Sequence, residues 1–417
     1  MSATLVEKLI ARRLNRDTIA PGEIIELPVD RLMINDYVGC VAFSTLAKMG
    51  LDRILRPERV LVALDHSMPA FSVDAADKQV FIRQQCARLE IENVGFLGKH
   101  GIGHQLMVED FTRPYEIAVG TDSHATMYGG LGAFSFGITV SDAISALVTG
   151  NIWVKVPESL KIQVNGSLPI GVVAKDLSLA LLNVFDSDRY IYRAVEIVGE
   201  TIDTLNIDGR LIISNMIAEA DAKCAVFEAD AKAFAFTGAP IQDCISADSD
   251  AIYVDQAYVD ATQLEPLLSY PHSVKNVKPL SYAKGISVDQ VFIGSCTNGR
   301  LEDLQQAAEI LKGKKVAKGT RLIVVPASQT VAREATRLGI IGTLMEAGAA
   351  IMTSSCCSCA GHGPGLIGNG ECCVSTTNRN FQGRMGSMDA DIFLGSAYTA
   401  AAAALTGHIT DPRELLY

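Results

Sequence analysis

The feature that most restricts the fold of this chain is a pattern of strand, loop and helix that repeats along its last third. Short apolar segments of strand length alternate there with longer segments whose apolar residues recur at helical spacing. The predicted strands are 289–293, 321–325, 349–353 and 391–394, and the predicted helices are 301–311, 330–347 and 397–405. Alternation of this kind implies a parallel sheet joined by right-handed crossovers.

Thiol and hydroxyl side chains follow these predicted strands closely. Cys296 comes after the first strand, the group 356–359 after the third and Ser396 after the fourth. Ligands of parallel α/β sheets gather beyond the carboxyl ends of the strands. We therefore expect these side chains to lie close together at one edge of the sheet.

The first 155 residues show the same pattern, with histidines in the loops. Predicted strands at 59–64, 93–97 and 115–120 run into Asp65-His66, His104 and Asp122-Ser123-His124. The glycine-rich run 129–137 that follows lets its backbone approach a ligand or a neighbouring domain closely. Its spacing does not match a dinucleotide-binding fingerprint.

The length of 417 residues favours two or three domains. We predict three α/β domains with mixed or parallel sheets, at 1–155, 156–279 and 280–417. The segment 270–284, which carries proline and lysine, is interpreted as a linker. At the N-terminus, Thr4 and Glu7 have the spacing of a capping box and predict an amphipathic helix.

Charge and hydropathy argue against two classes of partner. The net charge of −11 and the pI of about 5.2 would repel nucleic acid and an anionic membrane surface. The sequence contains no apolar run of the roughly 18 to 20 residues that span a bilayer. The N-terminal segment lacks the apolar centre of a secretion signal. We predict a cytoplasmic protein that binds neither nucleic acid nor a membrane.

The ten cysteines have no secretion signal beside them, so they are expected to be reduced thiols. Six of them fall between positions 296 and 373, which indicates metal or redox chemistry in that region. The other four, predicted to be small buried apolar residues, are Cys40, Cys86, Cys224 and Cys244.

Cys356 and Cys359 form a C-x-x-C pair, a spacing that suits a metal ion or a cluster. Cys296 reaches the same predicted sheet edge and brings the number of well-placed thiolates to three. Three ligands favour a Lewis-acid site with one open position. Two alternatives stay open: a zinc or redox pair at 356–359 with Cys296 merely packed, and an electron carrier whose fourth ligand is Cys357, Cys372 or Cys373.

The histidine motifs pair imidazoles with carboxylates, an arrangement that suits proton transfer near neutral pH. Each motif alone also fits a structural histidine. Arg379 and Arg384 lie in a loop between predicted strands, and arginine binds carboxylates through two parallel hydrogen bonds. A di- or tricarboxylate substrate is the natural ligand, and a surface salt-bridge loop is the alternative.

Three segments together resemble the aconitase superfamily: GTDSHATMYGG at 120–130, IGSCTNGRLEDL at 293–304, and the run from CCSCAGHGPG to NRNFQGRMGS at 356–387. The closer resemblance is to the large subunits of its two-chain members, which act on 3-isopropylmalate or homoaconitate. It covers nearly the whole chain. The fold it implies is three α/β domains around a [4Fe-4S] cluster, with the swivel domain absent.

The resemblance also implies residue roles. One [4Fe-4S] cluster per subunit is expected on Cys296, Cys356 and Cys359, with its fourth iron open to substrate. Asp65 and His66 are expected to protonate the departing hydroxyl. The other catalytic residues expected are His104, Asp122, His124 and Glu219, and those expected to bind substrate are Ser123, Asn215, Asn298, Arg379 and Arg384.

The catalytic base of the family is a serine on a separate swivelling domain, so we expect a small second subunit in a heterodimer or heterotetramer. The predicted reaction is isomerisation of a hydroxy-dicarboxylate by dehydration and rehydration, with 3-isopropylmalate as the first candidate substrate. Asn35, Asp221 and Ala360 depart from the usual pattern. They leave room for homoaconitate or a methylated malate of the citraconate or dimethylmalate type. A cluster-based sensor that binds RNA is the alternative of another class.

Overall fold

A computed structural model describes residues 2–416 of the chain and shows a mixed α/β protein built on largely parallel sheets, as predicted. The predicted N-terminal helix is present at Leu5–Leu14, and both hydrogen bonds of the Thr4 and Glu7 capping box form. Within residues 2–416, no helix is long and apolar enough to cross a membrane.

The first sheet has five parallel strands and sits in the N-terminal part of the chain. From edge to edge its strands are Val94–Gly95, Val60–Ala63, Arg31–Asn35, Ile117–Gly120 and Phe134–Gly137. The first three strands in chain order are added from the centre of the sheet toward one edge. The last two are added from the centre toward the other edge. The order therefore reverses between Arg31–Asn35 and Ile117–Gly120, and such a point is where doubly wound sheets place their ligands.

The C-terminal sheet has seven strands, of which five are parallel and repeat the same order. Its reversal point lies between Gln290–Ile293 and Cys372–Ser375. From edge to edge the strands are Val277–Pro279, Leu267–Ser269, Asp391–Leu394, Cys372–Ser375, Gln290–Ile293, Arg321–Val324 and Ala350–Ile351.

The interpretation of 270–284 as a linker is wrong. Leu267–Ser269 and Val277–Pro279 form an antiparallel pair at the edge of the C-terminal sheet, although both precede the predicted domain boundary at residue 280. The Asn380 amide donates to the Ser269 side chain at 3.3 Å and to the Tyr270 carbonyl at 2.8 Å. These contacts attach the segment to the sheet, which its proline and lysine content did not indicate.

The predicted helix 330–347 is two helices, Gln329–Arg337 and Ile340–Ala347. Gly339 separates them with φ of 75°, a left-handed conformation that ends the first helix. The predicted strand at 349–353 is reduced to Ala350–Ile351. The predicted helices at 301–311 and 397–405 are present as Leu301–Leu311 and Ala397–Thr406.

A third sheet, formed by residues that lie mainly between the first and C-terminal sheets in the sequence, has four parallel strands. They are, in spatial order, Cys224–Val226, Ala194–Val198, Ser159–Asn165 and Asp255–Asp260. Ile24–Pro28 and Asn151–Lys155 pair separately as an antiparallel ribbon. The remaining α-helices of the described residues are Asp36–Lys48, Val73–Arg88, Gly103–Leu106, Val140–Thr149, Ala174–Leu181, Ser187–Tyr190, Glu200–Thr204, Ile207–Met216 and Ala231–Thr237.

The glycine-rich run makes the close approach to a neighbouring unit that its composition predicts. The 3₁₀ segment Ser123–Leu131 packs on the third sheet, and the Phe227 amide donates to the Gly129 carbonyl at 3.1 Å. A methyl group added at Gly129 would overlap the carbonyl oxygen of Ala225. The segment that follows Asp122 is therefore fixed between two sheets.

We expect Gly129→Ala to destabilise the protein by about 3 kcal/mol or more, because rigid backbone atoms cannot move away from the added methyl group. Urea unfolding of the purified chain measures this change. Gly342→Ala is the matched control, since that helical glycine has no neighbouring atom within 4 Å of an added methyl group. Equal stability of the Gly129→Ala variant and the wild type would contradict the packing.

Candidate active site

The reversal points of the first and C-terminal sheets open onto one cavity. The two halves are joined across it, since the Cys356 amide donates to the Asp65 carbonyl at 2.9 Å and Arg379 donates to Ser123 at 2.8 Å. The cavity is lined from the first half by Met33, Asn35, Asp65, His66, His104, Asp122 and His124, and from the second by Cys296, Cys356, Cys359, Ala360, Asn378, Arg379 and Arg384. Ser396 does not line it and instead caps the last helix.

Side-chain amides surround the sulfur of Cys296. Asn378 donates to this sulfur at 3.1 Å and Asn215 at 3.3 Å. The sulfur of Cys359 lies 3.8 Å from Oδ1 of the Asn378 side chain, and that of Cys356 lies 3.9 Å from a carboxylate oxygen of Asp65. N–H donors directed at sulfur favour a thiolate, which is the form that binds metal.

Burial governs the acidity of these thiols. It raises the pKa of Cys296 to about 12, and the nearby Cys359 and Asp122 act in the same direction. Burial and then the charge of Asp65 raise the pKa of Cys356 well above its ordinary value. In the absence of a cation the thiols of Cys296 and Cys356 keep their protons at neutral pH. A metal centre that binds there therefore has to displace these protons.

The structure separates the other candidate cysteines from the cavity. Cys357 is buried, and its sulfur lies 3.1 Å from the Ser355 hydroxyl. Cys372 and Cys373 lie in the strand Cys372–Ser375 and do not line the cavity. This arrangement argues against an electron carrier with a fourth cysteine ligand. Of the four scattered cysteines, Cys86 and Cys224 are buried as predicted, Cys40 is half-buried and Cys244 is exposed.

His66 lies between two carboxylates. Its Nδ1 is 2.9 Å from Asp65 Oδ1 and 3.0 Å from Asp36 Oδ1. Burial lowers the pKa of His66, but the charge of Asp65 and the hydrogen bonds to both carboxylates outweigh burial and raise it well above its ordinary value. Ligand atoms of Asp65, His66 and Cys356 lie within 4.8 Å of one another. A protonated imidazole therefore stands next to a cysteine sulfur.

The sequence analysis missed Asp36. It directly follows the strand Arg31–Asn35, at the reversal point of the first sheet. The rule that placed functional residues beyond strand ends would have found it if 31–35 had been identified as a strand.

His104 and His124 belong to a hydrogen-bonded chain. His104 contacts the Tyr128 hydroxyl at 2.9 Å and Asp122 at 3.1 Å. His124 contacts the same Asp122 oxygen at 3.1 Å and Glu219 at 2.7 Å. Both ring nitrogens of each histidine are engaged by protein groups, so these histidines orient their neighbours. Tyr128 is a second residue that the sequence analysis missed, although it lies inside the motif at 120–130.

Hydrogen bonds between charged groups determine the protonation states of these hydrogen-bonded side chains. Burial opposes ionisation of Asp122, but its hydrogen bonds with His104 and His124 hold its pKa well below the usual range. Burial likewise opposes protonation of His124, but its hydrogen bonds with Asp122 and Glu219 raise its pKa. The result favours a charged imidazolium between two carboxylates.

The two predicted arginines differ in their partners. Arg379 donates to Glu219 at 2.8 Å and to Ser123 at 2.8 Å, which fixes its guanidinium at the cavity wall. Arg384 also lines the cavity, and its buried Nε has no hydrogen-bond partner within residues 2–416. A buried donor without an acceptor is costly, and a bound carboxylate would satisfy it.

Neither of the two asparagines predicted to bind substrate, Asn215 and Asn298, lines the cavity. Asn298 donates to Asp303 at 2.7 Å near the start of the helix Leu301–Leu311 and does not line the cavity. The Asn215 amide contacts the sulfur of Cys296, and its oxygen accepts from Thr297 at 2.8 Å. Asn215 thus orients a cysteine. Both asparagines lie in motifs rich in site residues, and their spacing alone could not indicate where the side chains point.

Comparisons with known proteins point to one family. A family model described as the Aconitase family (aconitate hydratase) matches residues 7–285 and 281–407. The chain is 40% identical to the 3-isopropylmalate dehydratase large subunit 2 of Archaeoglobus fulgidus, across 100% of both chains. It is 39% identical to the 3-isopropylmalate dehydratase large subunit of Halothermothrix orenii, again across 100% of both.

Among solved structures, the holo-form of aconitase X from Thermococcus kodakaraensis has a similar fold. The TM-score is 0.54 with 12% sequence identity, over 91% of this chain and 94% of that chain. At this identity the likeness concerns the fold alone.

Proposed function

This chain belongs to the aconitase family and is a hydro-lyase, and from that premise we propose that it is the cluster-carrying large subunit of a 3-isopropylmalate dehydratase. The observation that carries the proposal is the convergence of three cysteine sulfurs with a charged His66 in one cavity. The reaction moves a hydroxyl to the adjacent carbon by dehydration and rehydration. We place the protein in the cytoplasm, where thiols stay reduced.

Cys296, Cys356 and Cys359 are proposed to hold one [4Fe-4S] cluster per chain. The donor set fits, because two buried thiols, the half-buried thiol of Cys356 and the amides of Asn215 and Asn378 surround a space in which a cationic centre would stabilise thiolates. When bound, the cluster supplies a Lewis-acidic iron for the substrate's hydroxyl and carboxylate.

His66 is proposed to hold the proton that the departing hydroxyl receives. Asp65 is hydrogen-bonded to Nδ1 and Asp36 Oδ1 lies 3.0 Å from the same nitrogen, so Nε2 is the nitrogen that would present a proton to the cavity. The two carboxylates fix the ring and keep it charged near neutral pH. Asp122, His124 and Glu219 orient Arg379, which with Arg384 would hold the substrate carboxylates while negative charge develops on the neighbouring carbon.

The remaining step, removal of a proton from carbon, needs a base. We propose that a small subunit carrying the family's swivel domain supplies a serine for this purpose and closes over the cavity, in a heterodimer or heterotetramer. The names of the two relatives support this, since each is a large subunit.

The function is tested by anaerobic reconstitution of the chain with its small subunit and assay on 3-isopropylmalate, homoaconitate, citraconate and dimethylmalate. We expect turnover with 3-isopropylmalate and negligible turnover when the small subunit is left out. Preference for another of these acids would reassign the substrate, and Asn35 at the cavity wall is the residue to examine then. Activity on none of them would refute the proposal.

We expect Arg384→Lys to raise KM about 10- to 100-fold, because a lysine cannot reproduce the paired hydrogen bonds of a guanidinium to a carboxylate. Steady-state kinetics of the reconstituted complex measure the effect. Arg321→Lys is the control, since that arginine binds Glu371 at 2.7 Å and 2.8 Å away from the cavity. An unchanged KM in Arg384→Lys would remove this residue from the substrate site.

A further inference from the structure

A lysine lies buried directly behind the loop that carries the cavity residues. Lys175, in the helix Ala174–Leu181, is 1% exposed. Its ammonium donates to the carbonyl oxygens of Thr376 at 3.0 Å and Thr377 at 2.8 Å, and it lies 3.5 Å from the sulfur of Met216. These partners are neutral.

Lys175 has no carboxylate partner within 4.0 Å in residues 2–416. The carboxylate of the adjacent Asp176 turns away and accepts from the backbone amides of Val173 and Leu267, each at 3.0 Å. An unpaired buried cation is strongly destabilising. A protein that retains one needs a negative charge nearby under working conditions.

The nearby groups whose negative charge would stabilise this ammonium include two of the three cavity cysteines. Burial lowers the pKa of Lys175 to about 7, and the charges that oppose burial are those of Asp303, Cys296, Cys359 and Asp176. A [4Fe-4S] core held by three thiolates is negative overall, and a bound dicarboxylate adds further negative charge. That assembly would add to the compensation that the carboxylates of Asp303 and Asp176 supply.

Lys175 also fixes the loop that orients the cavity. Thr376 is bonded through its hydroxyl to Gly294, with distances of 2.9 Å and 3.0 Å, so it connects to the loop of Cys296. The residues that follow Thr377 are Asn378, which donates to the Cys296 sulfur, and Arg379. The ammonium therefore acts on both the backbone and the charge balance of the site.

We propose that Lys175 is a positioning residue that serves as the buried counter-charge of the three-cysteine cluster site, raising the reduction potential of the cluster and slowing its loss. The inference rests on the proposed cofactor. A positive charge nearby stabilises the more negative, reduced form of a cluster, so removing it should shift the potential to more negative values.

The test uses Lys175→Gln, which keeps an N–H donor without the charge, and Lys175→Met, which removes both. Lys223→Met is the control, because this half-buried lysine packs 3.8 Å from the Phe136 ring, and the charges that act on its ammonium are those of Cys224 and Asp142 instead of the cavity cysteines. The full chain is loaded anaerobically, and two properties are measured without turnover: the midpoint potential by titration followed with electron paramagnetic resonance, and the half-life of the cluster in air.

We expect both Lys175 variants to have a more negative potential and a cluster half-life several-fold shorter than the wild type, with Lys223→Met unchanged. A shift in the Met variant alone would assign the effect to hydrogen bonding and overturn the inference. Wild-type values in both variants would overturn it as well, and so would failure of both to fold. If the wild type itself takes up no cluster, the proposed cofactor fails instead.

Discussion

Cys356→Ser is expected to abolish both the visible absorbance of the cluster and turnover of the reconstituted complex. A serine hydroxyl in this half-buried position does not ionise near neutral pH and cannot replace a thiolate on iron. The loss of activity should reach at least about 10³-fold, because the Lewis acid of the reaction leaves with the cluster. Iron content, absorbance and rate are measured on the same preparation.

The matched control lies one residue away. Cys357 bonds to Ser355 at 3.1 Å and does not line the cavity, so Cys357→Ser should keep both cluster and activity. The same loss is expected for Cys296→Ser and Cys359→Ser. A Cys356→Ser chain that retained either the absorbance or the turnover would show that this cysteine is not a ligand.

His66→Gln should lower kcat by about 10²- to 10⁴-fold while the cluster content stays at the wild-type level. Glutamine has the size to fill the site but has no proton to transfer to a departing hydroxyl. Cluster absorbance and kcat together separate this effect from loss of the cofactor. His272→Gln, at an exposed histidine 3.5 Å from Asp391, is the control and should be unchanged.

The same account gives a pH dependence with a defined sign. The acid is active when protonated, so activity falls as pH rises through its pKa, which Asp65 and Asp36 raise. Asp36→Asn removes one of these carboxylates and lowers the pKa of His66. The alkaline limb of the rate profile should therefore move to lower pH, and a movement to higher pH would contradict the proposed proton donor.

The sequence predicted the placement of the site better than its details. Alternation of strands and helices indicated parallel sheets, and the rule for strand ends brought Cys296, Cys356 and His66 to one cavity. The rule works because the strand order reverses at the same relative place in both five-stranded parallel arrangements. The rule for strand ends depends on backbone topology, which hydrophobic patterns predict well.

The misses concern features that hydrophobic patterns do not record. The sequence pattern does not identify the strand before Asp36. The interpretation of 270–284 as a linker fails because Tyr270 is held by Asn380, which lies in a distant part of the chain. The side-chain directions of Asn215 and Asn298 depend on tertiary contacts with Cys296 and Asp303.

The most direct test of the central claim is the number of irons lost under mild oxidation. An iron without a cysteine ligand is the one held most weakly. The loaded chain in complex with its small subunit is therefore predicted to lose a single iron together with its activity, and ferrous iron should restore both. The loss and the return of iron are measured on one sample by iron analysis, electron paramagnetic resonance and turnover. Retention of all four irons with no loss of activity, or restoration by zinc in place of iron, would contradict a cluster with an open position on Cys296, Cys356 and Cys359.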